Sequence, residues 1–311
     1  MPKFLISGGA GFIASCLAER LLESSEDNYV VIVDNLLTGK KANLPSPSLP
    51  NWHFVQADVN KWEDIAPIMT QNSFDYVFHY AAVVGVQRTL DNPLEVLADI
   101  DGIKNMLSLA KNTRVKRFFY ASSSEVYGIS ETFPQHELHT PLNARLPYAV
   151  VKNMGEVYCK TYQETYGLPY TIFRFFNTYG PKQSVDFVMS KFIKAALAQK
   201  DITIYGDGEQ KRTFCYIDDH LDATVACLSN NDSVNQTINI GNDQEISIAD
   251  LAAIIVRLTN SSSKIIHTPP LKEGDMPRRQ PDITNMKKLL GRNLTPIELG
   301  IQKILDAYNS I

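Results

Sequence analysis

Ser7-Gly8-Gly9-Ala10-Gly11-Phe12-Ile13-Ala14 lies between a short apolar run, Lys3-Phe-Leu-Ile-Ser7, and a stretch of helix-forming residues from Phe12 to Leu22. Glycines at such a junction permit a tight turn and a close approach of backbone to a pyrophosphate. The free N–H groups and dipole of the following helix then hold the anion, so Gly8, Gly11, Phe12 and Ile13 are candidate cofactor contacts. Alone, this spacing is no more than a tight turn. Its context adds the second half: Tyr29-Val-Val-Ile-Val33 is a continuous β-branched run, and Asp34 ends it 20 positions beyond Ala14. A carboxylate at that strand tip accepts hydrogen bonds from both adenosine ribose hydroxyls and repels a 2′-phosphate, which points to NAD rather than NADP.

The same alternation continues outward. Trp52–Gln56, Asp75–Tyr80, Val115–Ala121 and Tyr170–Phe175 read as buried strands, with helices expected at Trp62–Met69, Pro93–Ala110 and Tyr148–Tyr166. Strand–helix alternation with short connections predicts an α/β fold, a Rossmann-type doubly wound parallel sheet over residues 1–176. Over 177–311 the rhythm loosens, as expected of a smaller C-terminal substrate-binding lobe from which the chain can cross back. Helices are expected there at Phe187–Ala198, Asp218–Leu228, Ile248–Thr259 and Pro296–Tyr308, strands at Ile202–Tyr205 and Phe214–Ile217, and a long loop at Thr268–Pro281.

Lys plus Arg total 30 against 34 for Asp plus Glu, a formal charge of -4, which speaks against nonspecific nucleic-acid binding. No apolar stretch approaches a bilayer span and no secretory leader is read, so the expectation is a cytoplasmic protein with no membrane contact. The four cysteines, Cys16, Cys159, Cys215 and Cys227, form no Cys-x-x-Cys pair and read as buried thiols. His136-Glu-Leu-His139 has the wrong order for a zinc helix, no metal site is expected, and no phosphate-binding Gly-Lys-Ser/Thr loop is present.

Tyr148-Ala-Val-Val-Lys152 sets a phenol and an ammonium on one helical face. A phenol normally ionises near pH ~10. A neighbouring ammonium and an oxidised nicotinamide lower that value, which suits Tyr148 to take a proton from a hydroxyl as hydride leaves the same carbon. Tyr-x-x-x-Lys is common by chance, as a helix-surface pair. Its weight comes from Ser122-Ser-Ser-Glu-Val-Tyr-Gly128, which brings hydroxyls and a carboxylate to the carboxyl end of a strand, the ligand side of such sheets.

With these runs in hand the sequence resembles the extended short-chain dehydrogenases that act on nucleotide sugars. The resemblance rests on Gly8–Ile13, Asp34-Asn35, Asp58-Val59, His79-Tyr-Ala-Ala82, Ser122–Gly128, Tyr148–Lys152, Arg174-Phe-Phe-Asn-Thr-Tyr-Gly-Pro181 and Gly206–Arg212, in this order. It implies NAD as cofactor, a nucleotide-diphosphate sugar as substrate and a homodimer built on the Pro93–Ala110 and Tyr148 helices. It also implies that Tyr148 is the acid/base at sugar C4, that Lys152 holds the nicotinamide ribose, and that Ser123 shares a proton with Tyr148. Asn35 would join Asp34 at the cofactor, Asp58 and Val59 would contact adenine, and Tyr80, Ala81 and Ala82 would wall the nicotinamide ribose. Ser123 and Ser124 would face the sugar. Asn177 and Arg212 would bind the diphosphate, and Arg279 either phosphate or a sugar carboxylate. Ala14 stands where most members carry a third glycine, and Asp99 where an asparagine is common; GDP-mannose 4,6-dehydratases share the latter.

Members of this group first oxidise sugar C4 to a ketone, which is then re-reduced, dehydrated or decarboxylated. A step at C5 needs a second base, and Glu125 is placed to be one; the Ser-Glu-Val-Tyr-Gly run is similar to GDP-mannose dehydratases and UDP-glucuronate decarboxylases. The expectation therefore leans to 4,6-dehydratase or decarboxylase chemistry. The alternative is a nucleotide-sugar 4-epimerase, which the Gly206–Ile217 run resembles. Of another class are a non-catalytic NAD-binding sensor or scaffold and a carbonyl reductase using NADPH. The first leaves Ser123, Tyr148 and Lys152 without purpose, and Asp34 opposes the second.

Overall fold

Six β-branched and aromatic runs form the strands that the alternation predicts. The computed structural model describes residues 1–269 and 278–309. The strands and helices of the first half are β1 (Lys3–Ser7), α1 (Phe12–Ser24), β2 (Tyr29–Asp34), β3 (Trp52–Gln56), α2 (Trp62–Gln71) and β4 (Tyr76–His79), then α3 (Val86–Asp91), α4 (Pro93–Asn112), β5 (Arg117–Ser123), α5 (Pro147–Tyr166) and β6 (Tyr170–Phe175). The second half adds β7 (Thr178–Tyr179), α6 (Val188–Leu197), β8 (Ile202–Tyr205), β9 (Lys211–Thr213), β10 (Cys215–Tyr216) and α7 (Ile217–Ser229). Then come β11 (Gln236–Ile240), β12 (Glu245–Ser247), α8 (Ile248–Leu258), β13 (Ile265–Thr268), α9 (Thr284–Leu290) and α10 (Ile297–Asn309).

The seven-stranded sheet has the order β11-β6-β5-β4-β1-β2-β3, and its successive pairs from β3 to β6 are all parallel. This is the doubly wound Rossmann arrangement. Strand order reverses between β1 and β4, and ligands of such sheets bind outside the carboxyl ends at that switch point. Alternate side chains leave opposite faces. Leu5, Val31, Val33, Val77, Phe118, Tyr120 and Ile172 pack under residues of α2, α4 and α5, among them Ile65, Val96, Met106, Val151 and Cys159. On the other parity Phe78 stacks on Phe119 at 4.4 Å and Phe119 on Phe173 at 5.9 Å. Arg117, of that same parity, donates to the Cys227 carbonyl and to Ser233.

The chain divides into two compact units: Met1–Gly128, Pro141–Phe175 and Ala223–Ile238 form one, and Ile129–Thr140, Phe176–Asp222 and Asn239–Ile311 the other. In the second unit β10 pairs with β7, β12 with β9 and β13 with β8. Asp219 of α7 is fully buried, accepts the Thr295 N–H at 2.7 Å and pairs with Arg292. Thr268, where the long loop was expected to begin, ends β13; the part of that loop at 270–277 lies outside the described residues. None of the four cysteines is in a disulfide; three are buried and Cys16 is half-buried. Among the described residues no helix is long and apolar enough to cross a membrane.

Candidate active site

The glycine turn is built as its sequence requires. Gly8 and Gly9 both donate to the Val33 carbonyl, at 2.8 and 3.2 Å, which pins the turn to the end of β2. A Cβ on Gly8 would lie 2.7 Å from the backbone of Ala81, so β1 and the segment after β4 meet at the switch point with no room for a side chain. Gly11 begins α1 without a side-chain cap, and first-turn N–H groups such as those of Phe12 and Ile13 have no acceptor within their own helix. Asp34 closes one side. Its carboxylate accepts from Ala10 N at 3.0 Å and Leu36 N at 2.7 Å, and burial raises its pKa above the ordinary value against those bonds. Each oxygen keeps acceptor capacity for a ribose hydroxyl. Bare helix N–H groups, a turn that excludes side chains and a carboxylate at the tip of β2 fit an adenine dinucleotide.

Beside Asp34, Asn35 is exposed and accepts the Leu37 N–H. Asp58 is half-buried and accepts the Asn60 N–H, while Val59 is buried and its carbonyl receives the Asn105 amide. Tyr80 turns its ring between Phe78 and Phe175, at 5.9 and 5.3 Å, with its hydroxyl buried, so it offers the crevice backbone rather than phenol. Ala81 and Ala82 follow it along the same edge.

At the end of β5, Ser123 caps a short 3-10 turn, Ser124–Tyr127, by accepting the Glu125 N–H at 3.2 Å; Ser124 is buried and Glu125 half-buried. Tyr148 and Lys152 lie on the first two turns of α5, as their spacing predicts. Lys152 is 4 % exposed, and its ammonium donates to the Ala121 carbonyl at 2.7 Å and sits 5.7 Å from the Tyr148 ring centre. Burial pushes Lys152 down to about 8, and the Asp99 carboxylate opposes that fall.

Three groups here were not singled out as site residues from the sequence. Asp99 of α4 is buried and accepts the Val83 N–H at 2.7 Å. His79 shares a hydrogen bond with Ser7 at 2.8 Å and is pushed down to about 3, first by burial and then by the Lys152 charge, so it is a neutral imidazole. Glu156, a further helical turn beyond Lys152, is 1 % exposed and pairs with Arg174. A charge inside a buried strand or on a buried helix face demands a partner, and that demand was the available signal.

In the second unit, Asn177 is half-buried and its carbonyl accepts the Cys215 N–H at 2.8 Å. Arg212 is half-buried on β9, and the parallel bridge Lys211↔Arg278 makes Arg212 and Arg279 successive neighbours on adjoining chain segments. Arg278 is spent on Glu245, which it grips at 2.7 and 2.9 Å. His136 and His139 stack at 4.4 Å in a loop.

The sequence profile of the NAD dependent epimerase/dehydratase family matches residues 4–241. The chain belongs to that family. NAD is the cofactor of the family, and members of known structure carry it. Among epimerase/dehydratase relatives, the chain is 38% identical over 304 residues to the UDP-N-acetyl-alpha-D-glucosaminuronate decarboxylase of Bacillus cytotoxicus, covering 92% of this chain and 91% of the relative. It superimposes on the UDP-glucose 4-epimerase of Thermotoga maritima with a TM-score of 0.92 at 28% identity, covering 99% of both chains. A UDP-glucuronic acid 4-epimerase from Bacillus cereus, solved with UDP-glucuronic acid and NAD, gives 0.87 at 29% identity over 98% of this chain and 100% of the other.

Proposed function

We propose that this epimerase/dehydratase-family chain decarboxylates a UDP-linked hexuronic acid, oxidising C4, releasing C6 as carbon dioxide and re-reducing C4 to leave a pentose. The reading is carried by Glu125, a half-buried carboxyl on the turn after β5, in a chain whose 38%-identical relative is named as a decarboxylase. NAD held by the glycine turn, the start of α1 and Asp34 would supply the hydride acceptor and donor for C4.

Tyr148 removes the C4 hydroxyl proton, with Ser123 sharing that proton and the Lys152 ammonium stabilising the phenolate. Once C4 is a ketone, the C6 carboxylate is β to it. The electrons of the C5–C6 bond pass into the carbonyl as carbon dioxide leaves, and Glu125 relays to C5 a proton taken up from solvent. Tyr148 then returns its proton to the C4 oxygen during re-reduction. Ser124 faces the sugar, Asp34 and Asn35 hold the adenosine ribose, Asp58 and Val59 border adenine, and the backbone of Tyr80–Ala82 lines the nicotinamide ribose. Asn177, Arg212 and Arg279 bind the anionic groups of the substrate.

Offering UDP-, GDP- and dTDP-sugars and weighing the products tests this directly: loss of carbon dioxide supports it. Loss of water means a 4,6-dehydratase. Unchanged mass with inverted C4 means a 4-epimerase, the reading that the likeness to a UDP-glucuronic acid 4-epimerase favours.

Two predictions concern the cofactor side. Asp34→Ala removes a charge-assisted acceptor worth about 1.5–3 kcal/mol, so NAD affinity should fall by roughly 10- to 100-fold while that for NADP rises relative to it, as titration calorimetry can measure. With Lys152 pushed down to about 8 by burial, kcat/KM should fall as pH rises through that value. The Asp99 carboxylate favours the ammonium, so Asp99→Asn should move that alkaline limb to lower pH.

The chain is also proposed to form a homodimer through α4 and α5, where Leu94, Leu97, Val150, Met154 and Val157 are exposed. Light scattering reads this out as a dimer mass.

A further inference from the structure

Tyr148, Lys152 and Glu156 follow one another at i, i+4 and i+8 along α5, on one face of the helix. The first two serve the proposed chemistry at C4. Glu156 is instead the centre of a buried network. Its Oε1 accepts from Ser122 Oγ at 2.6 Å and from Arg174 Nε at 2.9 Å, and its Oε2 accepts from Arg174 Nη2 at 2.7 Å. Arg174 Nη1 donates to the Tyr127 hydroxyl at 2.9 Å. Ser122 and Arg174 are cross-strand neighbours on β5 and β6, so one carboxylate joins α5 to two strands and, through Arg174, to the far end of the 3-10 turn.

Ser122 and Tyr127 bracket the segment that carries Ser123 and Glu125. Both ends of that segment are therefore tied, by directional bonds, to the helix that carries Tyr148. A buried ion pair adds little net stability over apolar packing of the same volume, so its effect is better sought in geometry. We propose that Glu156 and Arg174 are positioning residues: their ion pair fixes the Ser122–Tyr127 turn against α5 and so holds the Glu125 carboxyl in register with the Tyr148 phenol. Glu156 and Arg174 touch neither sugar nor cofactor in this scheme. The inference rests on the decarboxylase reading, in which one rigid frame must serve two carbons, C4 from the helix and C5 from the turn.

Loosening the clamp should disturb proton delivery at C5 more than C4 oxidation, because Tyr148 and Lys152 lie on α5 and Ser123, which only shares the Tyr148 proton, is the one C4 group on the turn. A displacement of about 1 Å costs on the order of 100-fold in a positioned step. In deuterium oxide the wild-type enzyme should place deuterium in one of the two C5 positions of the pentose, because Glu125 delivers from one face. Glu156→Gln should keep the single-turnover rise of NADH absorbance within a few-fold of wild type. It should accumulate the reduced cofactor and scatter deuterium over both C5 positions, as Glu125→Gln should.

Ser122→Ala keeps the ion pair and removes only its bond to β5, a small change that leaves a folded comparator if Glu156→Gln does not fold. It should show the same scrambling in milder form. If C4 oxidation and the C5 step slow together in these variants while deuterium stays on one side, the network is only scaffold and the proposal falls. A wild-type enzyme that forms no pentose from any UDP-hexuronate overturns the decarboxylase reading itself, a result visible before any variant is made.

Discussion

Tyr148→Phe is expected to lower turnover by about a thousandfold, within the range for one positioned acid/base group, with NAD affinity and Tm close to wild type. The ring of Tyr148 packs against the core under α5, and phenylalanine keeps that contact. Lys152 keeps its bond to the Ala121 carbonyl, so the cationic side of the site survives. What is lost is the hydroxyl alone. The neighbouring groups are poor substitutes for it. His79 is neutral, held down at about 3, and its Nδ1 is engaged with Ser7. Burial pushes the phenols of Tyr80 and Tyr120 well above their ordinary value, so neither yields a phenolate near neutrality. Steady-state rates beside a parallel NAD titration check the prediction. Turnover within tenfold of wild type would move the acid/base role away from Tyr148.

The same local environment explains why only part of the site is legible in the chain. Tyr148, Lys152, Asp34 and the glycine turn declare themselves because each needs a fixed spacing from a strand or helix boundary, and those boundaries follow from hydrophobic period. β1, β3, β6 and β8 fall on the residues that their apolar runs predict. β11 does not declare itself: Gln236-Thr-Ile-Asn-Ile240 has only two large apolar residues, yet it pairs with β6 at the edge of the sheet. β7, β9, β10 and β12 are two or three residues long, too short for any period to register, although β10 lies inside an expected strand. Asp99, His79 and Glu156 act through partners distant in sequence, and pairwise closeness of that kind leaves no periodic trace. The isolated Arg174 within an apolar strand and Glu156 on the buried face of α5 are visible as anomalies, but which charge meets which is fixed only by the register of β5 against β6.

The largest structural effect is expected from Gly8→Ala, measured against Gly167→Ala. Both glycines have positive φ, +72° at Gly8 and +71° at Gly167, the left-handed region in which alanine costs about 1–2 kcal/mol. They differ in what a methyl group would meet. Nothing lies within 4 Å of a Cβ at Gly167, the cap that ends α5. At Gly8 the Cβ would fall 2.7 Å from both Cα and N of Ala81 and 2.9 Å from the Tyr80 carbonyl carbon, backbone that cannot swing aside like a flexible side chain. Forcing that contact adds about 1–3 kcal/mol, which brings the Gly8 variant to about 2–5 kcal/mol against a total stability of about 5–15 kcal/mol. The displacement falls on the two segments that frame the switch point, the turn after β1 and the edge after β4. Gly8→Ala should therefore lose both Tm and NAD binding, whereas Gly167→Ala should lose a little Tm and bind NAD as wild type does. Thermal melts of both variants with and without NAD separate the terms: the stabilisation that NAD confers by mass action should vanish for Gly8→Ala and persist for Gly167→Ala. If the two variants melt alike and both retain that increment, the close approach of Gly8 to Ala81 does not shape the cofactor crevice.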